Sequence, residues 1–115
     1  MVKRDPAQLL PLTPAAFHVL VALADGASHG YAIMKEVERL TGATVRLSTG
    51  TLYGIIKRLL ADGLIRETFA AGSADPRRRA YELTPFGRDV ARAEAARLEQ
   101  TLLVARRTRL LRKPS

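Results

Sequence analysis

The side chains best suited to binding chemistry lie in residues 48–60, the run Ser-Thr-Gly-Thr-Leu-Tyr-Gly-Ile-Ile-Lys-Arg-Leu-Leu. At the helical period its aliphatic residues fall on one face, spaced three and four positions apart. The other face carries hydroxyls and a cation but no acid: Ser48, Thr49, Thr51, Tyr53 and Lys57. Such a helix can lie in a DNA groove, with its first-turn amides and positive dipole end toward a phosphate. The alternative is a surface helix whose cations only keep the protein soluble.

A second candidate for phosphate contact is the arginine triplet Arg77, Arg78 and Arg79. It follows residues 70–76, a cluster of small and turn-forming residues. Short β-rich runs at 64–69 and 79–83 flank the cluster, which predicts a hairpin with a long cationic tip. Guanidinium groups suit phosphate recognition, so we expect the tip to contact a nucleic-acid backbone. The alternative is a solvated loop that carries charge for solubility.

The residue combinations used in catalysis and metal binding are absent from the sequence. It has no cysteine, its two histidines are isolated from each other, and no pair of carboxylates lies beside a nucleophile. A lone histidine such as His18 is far more often a packed side chain than a ligand. The sequence therefore predicts that the protein is not an enzyme and binds no metal or other cofactor.

Charge and length restrict the partners further. The 115 residues fit a single domain and carry a formal net charge of +8, which favours a polyanionic partner. Eight basic and three acidic residues between 84 and 115 account for +5 of that total. No apolar run approaches the roughly 20 residues of a membrane span, and no secretory segment follows the N-terminal charges. We expect a cytoplasmic protein that does not enter membranes.

Two further helices precede the binding segment. Residues 1–12 form a short arm interrupted by prolines, and Thr13-Pro14 then caps and opens a helix that ends at Asp25-Gly26. A second helix begins near residues 28–31 (Ser-His-Gly-Tyr), turns Ile33, Met34, Val37 and Leu40 inward, and ends at Gly42. Its outer face is mostly solvated charge, from which we expect Lys35 to point at a phosphate.

A last helix begins at Thr84-Pro85, with the same Thr-Pro capping pair as the first helix, and extends to about Leu111. An apolar seam with alternating spacings of four and three runs along it: Ala91, Ala95, Leu98, Leu102 and Ala105. At about 1.5 Å per residue the helix is too long for a domain of this size to cover. We expect a second copy to cover the seam. The alternatives are a helix lying on its own domain or on a membrane surface.

These elements predict a mainly α fold of the α+β winged helix-turn-helix class, with three helices, a two-stranded wing and a long C-terminal dimerisation helix. The expected divisions are an arm at 1–12, a DNA-binding domain at 13–84, and a dimerisation helix with a basic tail at 85–115. The resulting molecule would present two matched DNA-binding surfaces, as a palindromic site requires.

Five motifs, in their order and spacing, make the chain resemble a PadR-family transcriptional regulator over about residues 12–102. They are Thr13-Pro14, His29 to Val37 (HGYAIMKEV), Gly50-Thr51-Leu52-Tyr53, Asp62-Gly63-Leu64-Ile65, and Arg78 to Gly87 (RRAYELTPFG). A C-terminal part that consists of a single helix resembles the compact subgroup of the family. The resemblance implies a homodimeric repressor of transcription that binds double-stranded DNA.

Within that resemblance, Ser48, Thr49, Thr51 and Tyr53 occupy the contact face of the recognition helix, while Lys35 and Lys57 reach the DNA backbone. The resemblance also implies a small hydrophobic or aromatic effector bound near the dimer interface, and a pocket between the first and last helices is the place we expect for it. A winged-helix interaction module that binds protein or an anionic surface is the alternative function.

Overall fold

The computed structural model describes residues 4–69 and 79–111, which form four α-helices and a three-stranded antiparallel sheet. The predicted Arg77 and Arg78 lie outside the described residues. The helices are α1 (Pro14–Ala22), α2 (Gly30–Leu40), α3 (Thr49–Ala61) and α4 (Pro85–Arg106). The strands are β1 (Ser28–His29), β2 (Ile65–Phe69) and β3 (Arg79–Leu83), and short 3-10 turns lie at Pro6–Leu9 and Arg109–Leu111. The predicted fold class is confirmed.

Each α-helix begins at a side chain that accepts a hydrogen bond from its first turn. Thr13, Ser48 and Thr84 play this part for α1, α3 and α4, as their sequence contexts predict. α2 starts at Gly30, within the predicted stretch 28–31. Nδ1 of His29 accepts from the amide of Ala32 at 3.4 Å, so His29 caps α2 instead of lying within it.

The wing strands have nearly the predicted bounds. β3 lies between its two partners, pairing with β2 from Ile65↔Leu83 to Phe69↔Arg79 and with β1 at Ser28↔Tyr81 and His29↔Ala80. The two-residue β1 is too short to give a hydrophobic alternation, so no sequence pattern marks it. It fixes the start of α2 against the sheet, beside the residues expected to contact DNA.

One apolar core joins the helices to the sheet. α3 inserts Leu52, Ile56 and Leu59, all essentially buried, against residues from α1, α2, α4 and the start of β2. At about 25 cal/mol per Å² of buried apolar surface, each such side chain stabilises the fold by roughly 1.5–3 kcal/mol. Burial of this face determines which residues of α3 point outward.

The backbones at the start of β2 and the start of α4 approach each other closely. The amide of Thr84 donates to the carbonyl of Leu64 at 3.1 Å, and the Thr84 hydroxyl donates to the carbonyl of Gly63 at 2.6 Å while accepting from the amide of Gly87. A β-carbon on Gly87 would collide with the Leu64 carbonyl. Gly87 is therefore required by packing.

The N-terminal arm is tied to both α3 and α4. The Leu12 amide donates to Glu94 at 2.7 Å, and Glu94 also accepts from the Nε of Arg97 although its side chain is only 1% exposed. The guanidinium of Arg4 donates to the carbonyl of Asp62 at the end of α3 and lies over the ring of Phe86, 4.2 Å from its centroid. The arm thus bridges the two helices.

α4 is shorter than expected, because its last regular residue is Arg106 and a turn separates it from Arg109–Leu111. Its 22 residues span about 33 Å. From Leu98 to Val104 every side chain is exposed, so this half projects beyond the domain. Within 4–69 and 79–111, no helix combines the length and apolarity that crossing a membrane would require.

Replacing Gly87 by alanine should lower the free energy of unfolding by about 3 kcal/mol, because the new methyl group cannot avoid the Leu64 carbonyl. Chemical denaturation of the two proteins measures the change. Gly50→Ala is the matched control, since a β-carbon there meets no neighbouring atom within 4 Å. Equal losses in both variants would contradict the close approach.

Glu94 should make stability depend on pH. Hydrogen bonds from Arg97 and from the Leu12 amide hold the pKa of Glu94 below its ordinary value, against the opposing effect of burial. The folded pKa lies below the unfolded one of about 4.3, so this stabilisation is complete above pH 4.3 and disappears as pH falls through the folded pKa. Glu94→Gln should cost about 1–2 kcal/mol at neutral pH and progressively less in acid.

Unfolding midpoints recorded across this pH range for Glu94→Gln and for the exposed Glu99→Gln test the effect. A loss that is independent of pH in Glu94→Gln, or an equal pH dependence in Glu99→Gln, would rule out Glu94 as its source.

Candidate nucleic-acid interface

The N-terminus of α3 is organised by two hydroxyl groups that were predicted to contact DNA. Oγ of Ser48 accepts from the Thr51 amide at 3.1 Å and donates to Oγ1 of Thr51 at 2.9 Å. Both side chains are exposed, as is Thr49 between them. The first turn therefore combines a capped end, three solvent-facing hydroxyls and the positive end of the helix dipole, which together suit a phosphate oxygen.

Helix geometry separates the residues that the sequence assigned to one contact face. Thr51 and Tyr53 are two positions apart and so diverge by about 160° around the axis. Between them, pointing away from the core, lies a crest formed by Gly50, Gly54 and Lys57. Thr51 flanks this crest on the side of the N-terminal arm, and Tyr53 flanks it on the side of α2.

The fold does not require glycine at either of the two crest positions. Neither has a positive φ, and a β-carbon at Gly50 or Gly54 would meet no atom within 4 Å. A glycine inside a helix costs roughly 0.5–1 kcal/mol relative to alanine. The crest therefore exposes bare helix backbone at a cost in stability. Such a surface allows another molecule to approach the helix closely.

Tyr53 is held by packing and is only about half exposed, at 47%. Its hydroxyl oxygen lies so near Gly30 that a β-carbon on Gly30 would be 2.6 Å away from it. Tyr81 of β3 is a neighbour of Tyr53. Burial raises the pKa of Tyr81, and the nearby Tyr53 phenol and Glu67 carboxylate raise it further, whereas Arg79 lowers it. Tyr81 thus stays neutral, and Tyr53 joins α3 to the start of α2.

The predicted basic residues that are described lie at the surface, some with acidic neighbours. Lys57 is exposed on the crest of α3. Nζ of Lys35 is 4.0 Å from a Glu38 oxygen and 5.4 Å from the centroid of the Tyr31 ring. On β3, a guanidinium nitrogen of Arg79 is 3.6 Å from a Glu67 oxygen. Exposed pairs of this kind are weak, so both cations can exchange their partners for phosphates.

Sequence reasoning missed three residues of this surface: Gly50, Gly54 and Arg58. The glycines give no periodicity signal, because they have no side chain to place on a face. Arg58 is exposed on the arm side of α3, below Thr51 and Gly54. The position of Arg58 beside the crest can be inferred only once the buried face has fixed the rotation of α3 about its axis.

The predicted dimerisation seam is exposed along most of its length. Ala91 packs against the chain's own core, which leaves Ala95 as the first exposed member. Leu98 and Leu102 have exposed fractions of 40% and 41%, and Ala105 is half-buried. Leu103 and Val104 add further exposed apolar surface beside the seam.

A cavity large enough for a small molecule lies next to α3. It lies between the arm, α1 and α3, and none of its lining residues belongs to α4. Its volume is about 550 Å³. It therefore borders the recognition surface instead of the seam.

Residues 19–93 match the model of the family described as "Transcriptional regulator PadR-like family". The chain is 46% identical over 77 residues to an uncharacterised 37.1 kDa protein of transposon TN4556 from Streptomyces fradiae. That match covers 67% of this chain but 21% of the relative, so the chain spans about a fifth of the relative's length.

Two further matches cover a larger share of the relative's own length. The transcriptional regulator Rv3488 from Mycobacterium tuberculosis is 36% identical over 85 residues, covering 72% of this chain and 74% of that protein. The solved structure of BpsR from Bordetella bronchiseptica, whose DNA binding is regulated by 6-hydroxynicotinic acid, is 30% identical with a TM-score of 0.66. It covers 86% of this chain and 70% of its own.

Proposed function

The chain belongs to the PadR-like family of transcriptional regulators, and we propose that it is a homodimeric repressor that binds a palindromic DNA operator. In this proposal α3 enters the major groove, and the wing, with Arg77, Arg78 and Arg79, lies on the flanking backbone. The similar BpsR is itself a DNA-binding protein, which supports a DNA partner. Membership of a family of transcriptional regulators, and not of enzymes, agrees with the absence of a catalytic set in the sequence.

The glycine crest of α3 is the observation that carries the proposal. Gly50 and Gly54 lower the stability of the helix and relieve no internal clash, so their benefit must come from a molecule outside the chain. On the crest, Gly54 lies between the hydroxyls of the first turn and the ammonium group of Lys57. A groove lined by phosphates fits a surface that has bare backbone at its centre and polar or cationic groups at its margins.

The same crest suggests how the operator is recognised. Ser48, Thr49 and Thr51 offer hydroxyls, and the first turn has no Asn, Gln or Arg able to make bidentate contacts with a base. We therefore propose that specificity depends on close van der Waals contact and on the local shape of DNA. Lys35, Tyr53, Lys57 and the wing arginines serve mainly to position the protein on the backbone.

A second copy of the chain is proposed to cover the projecting half of α4. Leu98 and Leu102 are exposed on a helix that its own domain leaves bare. Burying such a seam against its symmetry mate yields a two-fold dimer with paired α3 helices. The proposed parts are thus an arm at 1–12, a DNA-binding domain at 13–84, and a dimerisation helix with its basic tail at 85–115.

We also propose a cytoplasmic location and control by a small hydrophobic or aromatic effector. The other candidate function is an interaction module that binds protein or an anionic surface through the same fold. Selection of bound fragments from a random DNA pool, in excess nonspecific DNA, separates the two functions. A regulator enriches a two-fold-symmetric site, whereas an interaction module enriches no sequence.

Gly54→Ala should stabilise the fold and weaken DNA binding. The added methyl group raises helix propensity, so we expect the free energy of unfolding to rise by about 0.5–1 kcal/mol. The same methyl group keeps the helix away from the groove, and we expect operator affinity to fall about tenfold, equivalent to 1.4 kcal/mol. Gly50→Ala should act in the same direction. Denaturation and fluorescence anisotropy on the selected operator measure the two effects.

The matched control is Ala61→Gly, at the far end of α3. It should lower stability by a similar amount and leave DNA affinity unchanged. If both crest variants bind the operator as tightly as the original chain, α3 does not approach DNA through this crest.

Leu98→Asp combined with Leu102→Asp should produce a monomer. Carboxylates inside a dimer seam cost several kcal/mol, so dimer affinity should fall at least about 100-fold. Analytical ultracentrifugation at micromolar concentration measures the mass, and operator affinity should fall with it. Leu110→Asp, an exposed apolar position outside the seam, should remain dimeric; a double variant that also remains dimeric would place the interface elsewhere.

A further inference from the structure

The cavity under the N-terminal arm has the size and lining of a small-molecule site. Its volume of about 550 Å³ falls within the usual range of ligand pockets. One wall is the arm and the start of α1, and the other is the flank of α3. Its apolar lining includes the side chains of Leu9, Leu12, Ala16, Ile55, Leu59 and Leu64.

Polar groups border this apolar surface. Arg58 of α3 lines the cavity and is exposed, Gln8 of the arm lines it as well, and Asp62 lies at the end of α3. The guanidinium of Arg4 is also near, because it donates to the carbonyl of Asp62. Two arginines against one aspartate favour an anion. The chemistry therefore fits a compact, largely apolar molecule with one anionic group.

The arm wall is anchored at both of its ends. The Leu12 amide is held by Glu94 of α4, and Arg4 is held by the end of α3 and by Phe86. A molecule in the cavity therefore lies between α3 and an arm that is bound to α4. Thr51 and Gly54 line the cavity and also form part of the recognition surface.

We propose that this cavity binds a small apolar anion, with its apolar part between the arm and α3 and its charge at Arg58. The occupied cavity places ligand atoms beside Thr51 and Gly54, where they obstruct the approach of a groove to the crest. This regulatory consequence rests on the proposed DNA binding. The binding site itself does not.

The test uses the full-length protein and the fluorescent anion 1-anilinonaphthalene-8-sulfonate, which combines fused and single aromatic rings with one sulfonate. Gly54→Leu fills the cavity from α3, because open space surrounds a β-carbon there. We expect its affinity for the probe to fall at least about tenfold. Gly50→Leu is the matched control: the same side chain on the same helix, with equally open surroundings but outside the cavity lining. It should bind the probe as the original chain does.

Charge variants on the arm test the position of the anionic group. Gln8→Arg should strengthen probe binding and Gln8→Glu should weaken it, with roughly a fivefold difference between them. Gln8 is exposed, so neither change should affect the fold. Equal probe affinities in the Gly54→Leu and Gly50→Leu variants, or in the two Gln8 variants, would overturn the site.

DNA binding supplies an independent measurement. The probe should release the selected operator from the original chain, and about fivefold more probe should be needed for Gln8→Glu than for Gln8→Arg. If the chain enriches no operator but the cavity variants bind the probe as expected, the proposed function fails and the site stands. If an operator is bound and the cavity variants behave alike, the site fails and the proposed function stands.

Discussion

Burial of one face of α3 is the constraint on which the remainder of the structure depends. Leu52, Ile56 and Leu59 are almost fully excluded from solvent, and together they contribute several kcal/mol to folding. Because they lock the rotation of α3 about its axis, they determine that Gly50, Gly54 and Lys57 face outward. The orientation of the proposed DNA-contact surface is thus a consequence of core packing, and this surface can vary in sequence without weakening the core that orients it.

A second constraint sets the direction of α4. The Leu64 carbonyl accepts from the Thr84 amide, the Thr84 hydroxyl reaches the Gly63 carbonyl, and Gly87 leaves no side chain between the two backbones. This junction fixes α4 relative to both the wing and the end of α3. A change in angle at the proposed dimer seam would therefore move α3 as well, because the described part of the chain packs around one core.

Much of this architecture could be predicted from sequence because its signals are local. The Thr-Pro pairs and Ser48 mark helix starts by capping chemistry, and the wing strands follow from β-rich runs around a turn-forming cluster. β1 was not predicted, because it is defined only by its pairing with β3. The divergence of Thr51 and Tyr53 follows from the helical period and could have been inferred from the sequence. The role of Glu94 depends on a contact with residue 12, 82 positions away. Non-local contacts of this kind leave no periodic trace. The assigned DNA-contact and seam residues remain predictions.

The bond between Leu12 and Glu94 has a consequence for where the folding unit ends. The segment shared with the family covers residues 19–93, yet both partners of this bond lie outside it, on opposite sides. The bond closes the polypeptide into a loop around the segment that matches the family, with the start of α1 and its capping threonine inside the loop. A fragment cut at the family boundaries would lose that closure, half of α1, and the anchoring of its own N-terminus. A fragment that keeps both this bond and the Glu94–Arg97 ion pair must extend from the arm to at least Arg97.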